Sequence, residues 1–378
     1  METKDILGLL GGLALFLYGM KMMSDGLLDG AGIKLEYILE KLTNHKLKAI
    51  LVGTLITCII QSSSAMTVML IGFVNAKVMK LNRAIWVIMG ANIGTTMTGQ
   101  LIAFDIGVFA PVFAIVGVIL IVFFSWRAAR LCGEVLTGIG MLFMGLEMMS
   151  QSMIPLQSSE LFLNSMITLS HPLFAVLVGA LFTAIIQSSS ASIGILQTLA
   201  MQHLIPFSQA VYFLFGFDIG TCMTAFIASL SGCRNAKRLA LFHLLFNVLG
   251  TSAFLVICQF TPIVSIVEGW TPHEPMRKIA NMHTLFNVIT TAAFLFIDKP
   301  ILKFIERLIP LQRRGKKDIY NKNCFYIDFY NKIGYNTKVK SLKKKSIYNS
   351  VFREEMVGAN FYQNIKKATL KSDVNINA

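Results

Sequence analysis

The sequence predicts an all-α polytopic membrane protein with two inverted-topology repeats, each with a re-entrant helical hairpin, plus two further C-terminal transmembrane helices. First, 54% of the 378 residues are hydrophobic and only 14% are charged, a composition too apolar for a soluble protein. Second, the first third of the chain aligns on the second at a shift of 126 residues without a gap. Third, the Lys and Arg residues flanking matching segments are distributed in opposite ways in the two copies.

The duplication is clearest in the segment 51–65, where twelve of fifteen residues are identical to those of 177–191. Both segments end in Gln-Ser-Ser-Ser-Ala, at 61–65 and 187–191. Register is also preserved in two further blocks, around Gly19 to Ser24 and around Gly90 to Thr98. Apolar composition alone would not preserve register through three blocks and their loops, so we infer a true internal repeat.

Each Gln-Ser-Ser-Ser group interrupts an apolar segment of about 30 residues and leaves about a dozen on either side, too few for a span of about 20. The predicted hairpins cover about 47–76 and about 172–202. Basic residues flank the first hairpin on both sides, whereas in the second copy they occur at the opposite end of the repeat. Because cytoplasmic loops are enriched in Lys and Arg, we expect the hairpins to enter from opposite faces. The residues concerned are Lys34, Lys41, Lys46, Lys48, Lys77, Lys80 and Arg83 in the first copy, and Arg234, Lys237 and Arg238 in the second.

The remaining organisation follows from apolar length. We expect crossing helices at 6–24, 84–104, 108–125, about 239–259 and about 279–297, the last leaving the membrane at Lys299 and Pro300 after an outer loop with Glu268 and His273 to Pro275. Short interfacial helices are expected at 27–42 and 153–168. The expected regions are 1–130, transmembrane repeat 1; 131–258, repeat 2 with the following helix; 259–310, the last helix and exit; and 311–378, a mostly disordered cytoplasmic tail.

The net charge of +14 describes that tail, because residues 311–378 contain 15 Lys and Arg against 5 Asp and Glu. After a membrane domain, a basic segment is typical of the cytoplasmic side or of contact with anionic lipid. We therefore expect membrane lipid as a partner and no nucleic acid.

Inverted repeats interrupted at matching positions are typical of secondary transporters, whose site lies near the midplane between the repeats. At each interruption a helix begins, so its free N–H groups and the serine hydroxyls suit an anion. The predicted anion-binding residues are Ser62, Ser63, Ser64, Ser188, Ser189 and Ser190.

Oxygen atoms near the same interruptions suit a small hard cation such as Na⁺, which we expect as the coupling ion with no other cofactor or metal. Asn92-Ile-Gly-Thr-Thr96 and Asp218-Ile-Gly-Thr-Cys222 form a second matched pair. A carboxylate within a transmembrane segment is costly, so Asp218 is predicted to be functional and the site asymmetric. The predicted sodium ligands are Gln61, Gln187, Asn92, Thr95, Thr96, Asp218 and Thr221.

A shorter repeat at spacing 40 places H-x-x-F-N in each of the last two predicted helices. His and Asn four residues apart share a helix face and can form a second polar layer. Packing is favoured over a ligand or proton-relay role for these residues, which are His243, Asn247, His283 and Asn287.

The doubled QSSS, GANIGTT at 90–96 and the H-x-x-F-N segments resemble the type II sodium-dependent phosphate cotransporter family, over roughly residues 5–298. The resemblance implies Na⁺-coupled import of inorganic phosphate, with phosphate at the serines, in the bacterial inner (plasma) membrane. Animal members that move net charge have Asp directly after the His of H-D-x-F-N, whereas Leu244 and Thr284 stand there in this sequence.

Residue chemistry alone leaves alternatives open. Another small anion, such as sulfate or a dicarboxylate, suits the same groups, and a phosphate sensor that does not transport would bind phosphate equally. An intramembrane serine hydrolase is disfavoured because the chain has no G-x-S-x-G motif and no base follows the duplicated serines. We therefore predict that the protein is not an enzyme.

Overall fold

The computed structural model describes residues 2–31, 38, 39, 41–104, 107–160, 162, 164 and 171–310. The described residues belong to one compact unit, Met1–Gly315, and residues 316–378 lie wholly outside the described part of the chain. The predicted disordered tail lies there too. Seven of the sixteen residues of the predicted interfacial segment 27–42, and six of the sixteen of 153–168, also fall outside the described residues.

The described part of the chain is helical and contains no strand, which confirms the all-α prediction. Short 3₁₀ helices occupy Gly107–Phe109 and Ile154–Ser158. The α-helices are α1 (Thr3–Ala31), α2 (Lys46–Ile60), α3 (Ser63–Asn75), α4 (Leu81–Ile102), α5 (Ala110–Phe123), α6 (Arg127–Met153), α7 (Pro172–Ile186), α8 (Ser189–Met201), α9 (Phe207–Ser229), α10 (Arg234–Phe260), α11 (Ile263–Trp270) and α12 (Pro275–Leu308).

Several of these helices are long and apolar enough to cross a membrane. Among the described residues α1, α6, α9 and α10 meet that criterion individually, and α4 with α5 meets it as a bent pair. The helices α3 and α7 are apolar but shorter. The protein is therefore a polytopic helical membrane protein, as its composition predicts.

The internal repeat is visible in the helix boundaries and in the packing. Helices α2 and α7 begin and end at equivalent positions of the two copies, as do α3 and α8. In each copy we call the helix before the Gln-Ser-Ser-Ser group the first leg and the helix after it the second leg. Each first leg packs against the long helix of its own copy, α2 on α4 and α7 on α9. Gly90 lies against the carbonyl of Ile50, and its equivalent Gly216 lies against the carbonyl of Val176. Absence of a side chain at both glycines lets the backbones approach closely.

The second legs connect the two copies. Helix α3 of the first copy packs against α9 of the second, and α8 of the second packs against α4 of the first. Helix α12 covers both long helices and also contacts α10. An aromatic cluster of Phe215, Phe254 and Phe286, with ring centroids 4.8 to 5.6 Å apart, holds α9, α10 and α12 together.

The end of the membrane domain differs from the expectation. Helix α12 begins at Pro275 and continues through Pro300 to Leu308, instead of ending before Lys299. Proline removes one backbone bond and its ring crowds the preceding turn, at a cost of about 3 kcal/mol, whereas Ile305 is fully buried and Arg238 donates from Nε to the carbonyl of Ile309 at 3.0 Å. Tertiary contacts therefore hold the helix beyond the proline. The predicted outer loop likewise contains a short helix, α11, which includes Glu268.

The close approach of α2 and α4 predicts a steric test at Gly90. Alanine there would place its Cβ in overlap with the Ile50 carbonyl, a backbone atom that cannot move independently. We expect Gly90→Ala to destabilise the protein by about 1–3 kcal/mol, measured as a lower thermal denaturation midpoint in detergent. Gly72→Ala is the matched control, because a Cβ at this helical glycine meets nothing within 4 Å. Equal midpoints for the two variants would contradict the described packing.

Candidate functional site

The two Gln-Ser-Ser-Ser groups each break a helix at a left-handed glutamine. Gln61 has φ of 56° and Gln187 has φ of 59°, and each ends the preceding helix. The next helix begins at Ser63 or Ser189, within the serines, as the sequence predicts. An L-residue in this conformation costs about 1–2 kcal/mol. Such strain is concentrated at functional sites, and here it occurs at equivalent residues of both copies.

The serine preceding each new helix is its N-cap. The Ser62 hydroxyl accepts a bond from the N–H of Ala65 at 3.2 Å, and the Ser188 hydroxyl accepts one from Ala191 at 3.3 Å. The other N–H groups of each first turn have no partner within the helix and carry the positive end of its dipole. Each break therefore presents donors that suit an anion. Of the six predicted serines, Ser63, Ser189 and Ser190 are buried, and Ser62, Ser64 and Ser188 are partly buried.

At the first break, neighbouring side chains satisfy the carbonyl end of α2. The Ser24 hydroxyl, on α1, donates to the carbonyl of Ile60 at 2.5 Å. The side-chain amide of Gln61 donates to the carbonyl of Cys58 at 2.5 Å. The Thr98 hydroxyl, on α4, donates to Gln61 Oε1 at 2.8 Å. The glutamine side chain is therefore held on both sides.

The second break is arranged differently. The Thr183 hydroxyl donates to Ser192 Oγ at 2.8 Å, and the Ser192 hydroxyl donates to the carbonyl of Ser188 at 3.1 Å. The side chain of Gln187 is exposed. Ser150 is the repeat equivalent of Ser24, but its hydroxyl accepts a hydrogen bond from Gln202 Nε2 at 2.5 Å. Gln202 follows the C-terminal end of α8, whereas the break lies at its N-terminal end. Equivalent residues therefore have unequal surroundings at the two breaks.

The second matched pair lies one helical turn from the breaks. A Cβ added to Gly94 would lie 2.7 Å from Thr57 Cβ, and one added to Gly220 would lie 2.8 Å from Thr183 Cβ. Both threonines precede the left-handed glutamine by four residues. The segments Asn92–Thr96 on α4 and Asp218–Cys222 on α9 therefore pack against the carbonyl ends of α2 and α7.

The predicted threonine ligands are buried and donate their protons to their own helices. Thr95 donates to the carbonyl of Ala91 at 2.9 Å and Thr96 to that of Ile93 at 2.8 Å. Thr221 donates to the carbonyl of Phe217 at 2.9 Å. Once the proton is used in this way, the hydroxyl oxygen lone pairs remain for a cation.

Asn92 and Asp218 are each bonded to an H-x-x-F-N segment. Asn92 Oδ1 lies 3.3 Å from His243 Nε2, across α4 and α10. Asp218 Oδ1 lies 3.1 Å from His283 Nε2, and Asn287 Nδ2 donates to Asp218 Oδ2 at 3.0 Å. Of the predicted second polar layer, His243 thus contacts Asn92, and His283 and Asn287 contact Asp218. The reason is that α10 packs on α4 and α12 packs on α9.

This polar cluster contains oxygen acceptors with no hydrogen-bond partner in the described part of the protein. Asn247 Nδ2 donates to Cys222 Sγ at 3.1 Å, while Asn247 Oδ1 and Asn287 Oδ1 are buried and unpaired. Unpaired buried acceptors are costly. Amide and carboxylate oxygens of this kind are typical ligands of hard cations, so the residues present are suited to Na⁺.

Sequence reasoning missed several residues that position the site. Ser24 matches Ser150 in the duplication, but repetition alone does not say which carbonyl it contacts. Lys46 Nζ lies 2.8 Å from Asp298 Oδ1, and Trp86 Nε1 donates to Asp298 Oδ2 at 2.9 Å. These contacts fix the start of α2 to α4 and α12. Asp298 lies next to the predicted membrane exit at Lys299 and Pro300, where a charged residue is common and does not indicate a buried ion pair.

The fold defines a polytopic helical membrane protein whose apolar segments break at matching positions of an internal repeat. The chain matches the Na⁺/Pi-cotransporter family over residues 15–151 and 157–296. It therefore belongs to that family, which confirms the resemblance inferred from its motifs and supports phosphate transport.

Individual relatives give a finer comparison. The chain is 37% identical over 265 residues to "Uncharacterized protein YqeW" of Bacillus subtilis, covering 70% of this chain and 85% of that protein. It is 27% identical over 265 residues to "Putative inorganic phosphate export protein YjbB" of Escherichia coli K12, covering 70% of this chain but only 48% of YjbB. A stretch of 97 residues is 31% identical to human "Sodium-dependent phosphate transport protein 2B", covering 25% of this chain and 14% of that protein. No solved structure matches the chain significantly.

The buried carboxylate of Asp298 predicts a stability effect. Asp298→Ala would leave the Trp86 N–H without its acceptor and the Lys46 ammonium with only the Leu295 carbonyl, at a cost of about 1–3 kcal/mol. We expect a lower thermal denaturation midpoint in detergent, with Asp298→Asn intermediate because it retains an acceptor oxygen for the indole. The control is Asp25→Ala, which removes an exposed pair with Lys21 worth about 0–1 kcal/mol. A midpoint for Asp298→Ala no lower than that of the control would refute the anchoring role.

Proposed function

We propose that this protein is a sodium-coupled symporter that imports inorganic phosphate across the bacterial plasma membrane by alternating access. The observation that carries the proposal is the matched pair of helix breaks at Gln61 and Gln187, each followed by serines at a helix start. Family membership supports phosphate as the substrate and Na⁺ as the coupling ion.

The broken segments are proposed to be re-entrant hairpins of two inverted repeats. Helices α2 and α3 contain 15 and 13 residues, so each is about 20 Å long, short of the hydrocarbon thickness of about 30 Å. Basic residues on both flanks of the first hairpin favour entry and exit on the same, cytoplasmic side. The opposite charge pattern of the second copy favours entry from the other side. Both breaks then lie near the middle of the membrane, where transporter sites are typically found.

Phosphate is proposed to bind between the two breaks. The hydroxyls of Ser62–Ser64 and Ser188–Ser190, with the N–H groups starting α3 and α8, supply donors from both sides. Two helix dipoles directed at one anion replace part of the hydration that phosphate loses. The packing of α3 on α9 and of α8 on α4 supports a site shared by the copies.

Sodium is proposed to bind beside the phosphate and to make its binding favourable. Gln61 and Gln187 at the breaks, Asn92, Thr95 and Thr96 on α4, and Asp218 and Thr221 on α9 are the proposed ligands. His243 orients Asn92, and His283 and Asn287 orient Asp218, through the contacts described above, while Asn247 donates to Cys222 beside them. Na⁺ neutralises charge that would otherwise repel the phosphate, and its gradient supplies the driving force.

The unequal breaks support the alternation. Gln61 is held by Thr98 and by its own helix, whereas the Gln187 side chain is exposed. We propose that this arrangement corresponds to one of two states, in which access is open at the second break and closed at the first. In the other state the two breaks exchange roles.

Export is a second candidate direction, favoured by the printed name of YjbB. That protein is 27% identical and the matching region covers 48% of its length, so a further region of YjbB has no counterpart in the match. Secondary transport is reversible, and the Na⁺ gradient sets its direction. Proteoliposomes with Na⁺ outside should accumulate labelled phosphate if the coupling is symport. Accumulation driven only by Na⁺ inside would favour coupled export.

The second break gives the functional test of the site. Ser189→Ala removes a buried hydroxyl at the start of α8 and is expected to reduce Na⁺-dependent uptake of radiolabelled phosphate in proteoliposomes by about tenfold or more. Ser252→Ala, which removes an exposed hydroxyl on α10, is the matched control and should transport normally. Unimpaired uptake by Ser189→Ala, at equal amounts of reconstituted protein, would count against the proposed site.

A further inference from the structure

Helix α12 is longer than the membrane is thick. Its 34 residues extend about 51 Å, whereas the hydrocarbon core is about 30 Å across. The residues around the site, His283 and Asn287, lie in its first half. The predicted crossing segment of α12 is about 279–297, so we take its last turns, from Phe296 to Leu308, to lie at the level of the lipid headgroups.

These last turns have three distinct faces. The inner face packs on the protein through Phe294, Asp298 and Ile305, which are buried. The outer face contains a basic stripe, defined as Lys299, Lys303 and Arg307, all exposed and spaced four residues apart. Residues spaced by four share one side of a helix, so the three cations form a row.

A second row lies directly beside the first. Phe296, Phe304 and Leu308, the apolar stripe, are exposed by 84%, 51% and 56%. Pro300 completes the same four-residue spacing. A protein surface in water would not leave two phenylalanines and a leucine exposed along one helical row. Side by side, an apolar row and a basic row are typical of a helix at the boundary between acyl chains and headgroups.

The surface is held in place by contacts on the inner side. Arg238, itself buried, donates to the carbonyl of Ile309 at 3.0 Å and lies 3.6 Å from Glu306. Arg234 donates to the carbonyl of Pro310. Both arginines are at the start of α10, so the end of α12 is fixed to a neighbouring helix and its outer face is preformed.

We propose that the basic stripe binds the headgroups of anionic phospholipids while the apolar stripe inserts among their acyl chains. Long basic side chains reach the headgroup phosphates from a helix whose neighbouring face is in hydrocarbon. Free phosphate would need the cations but not the adjacent apolar row, and an acidic soluble protein would leave that row in water. Lipid is the partner that matches both rows.

The inference is independent of phosphate transport. It concerns a surface on the opposite side of α12 from Asp298 and Ile305, and none of its residues belongs to the proposed site. Loss of transport in a site variant would leave lipid binding intact, and the reverse failure would leave the proposed function untouched.

The test compares two triple variants of the full chain. Lys299→Gln, Lys303→Gln and Arg307→Gln together remove the basic stripe. Lys48→Gln, Lys77→Gln and Lys80→Gln together remove the same charge from exposed lysines that do not form a row on one helix. Each purified protein is incubated with phosphatidylglycerol or phosphatidylcholine, and retained lipid is counted by native mass spectrometry. We expect the stripe variant to lose phosphatidylglycerol affinity by about fivefold per removed charge, and the control to lose far less.

Two further arms separate the explanations. A variant that keeps the charges, Lys299→Arg, Lys303→Arg and Arg307→Lys, should retain phosphatidylglycerol like the wild type, because the charges and not the particular side chains bind the headgroups. An unchanged thermal denaturation midpoint of the glutamine variant in detergent shows that the helix end is folded. Excess inorganic phosphate should not displace the lipid. Equal losses in the stripe and control variants, no loss in the stripe variant, or displacement by free phosphate would each overturn the proposal.

Discussion

A broken helix leaves backbone carbonyls and N–H groups without partners, and the structure is organised around how these groups are satisfied at Gln61 and Gln187. In hydrocarbon each unsatisfied group costs several kcal/mol, roughly, so such breaks persist only where protein or ligand supplies partners. At the first break, Ser24, Thr98 and the Gln61 side chain supply them for the carbonyl end. The N–H end faces the serines, and there the proposed phosphate completes the bonding.

The long helices α4 and α9 form the platform on which both breaks rest. Each carries glycines where the first leg of its own hairpin packs, and each also contacts the second leg of the other copy. The two helices pack in equivalent ways but carry different side chains at an equivalent position, because Asn92 on α4 is a neutral amide and Asp218 on α9 is a carboxylate. Their partners differ accordingly, because Asp218 is bonded to both His283 and Asn287 whereas Asn92 meets His243. We interpret this difference as confining the costly charge to one side of the shared site.

Much of this arrangement is local and could be predicted from the sequence. The duplication, the helix breaks at Gln61 and Gln187 and the helix starts within the serines follow from repetition and from four adjacent polar residues in an apolar segment. The contacts of His243 and His283 could not be predicted, because a spacing of 40 residues fixes no partner across helices. The continuation of α12 beyond Pro300 could not be predicted either, because it depends on tertiary contacts. Burial of Ile305 and the hydrogen bond from Arg238 to the Ile309 carbonyl outweigh the cost of the proline. Inverted orientation and the site roles stay predictions.

The central claim is that the two broken segments enter from opposite sides of the membrane and that both breaks contact one phosphate site. Single cysteines at Ser64 and Ser190, equivalent positions in the two copies, test it directly in a background without the native cysteines. Labelling by a membrane-impermeant thiol reagent is measured from each side of sealed vesicles, with and without phosphate. The account predicts that the two cysteines react from opposite sides and that phosphate protects both only when Na⁺ is present. Reaction of both from the same side, or protection of neither by phosphate with Na⁺, would contradict it.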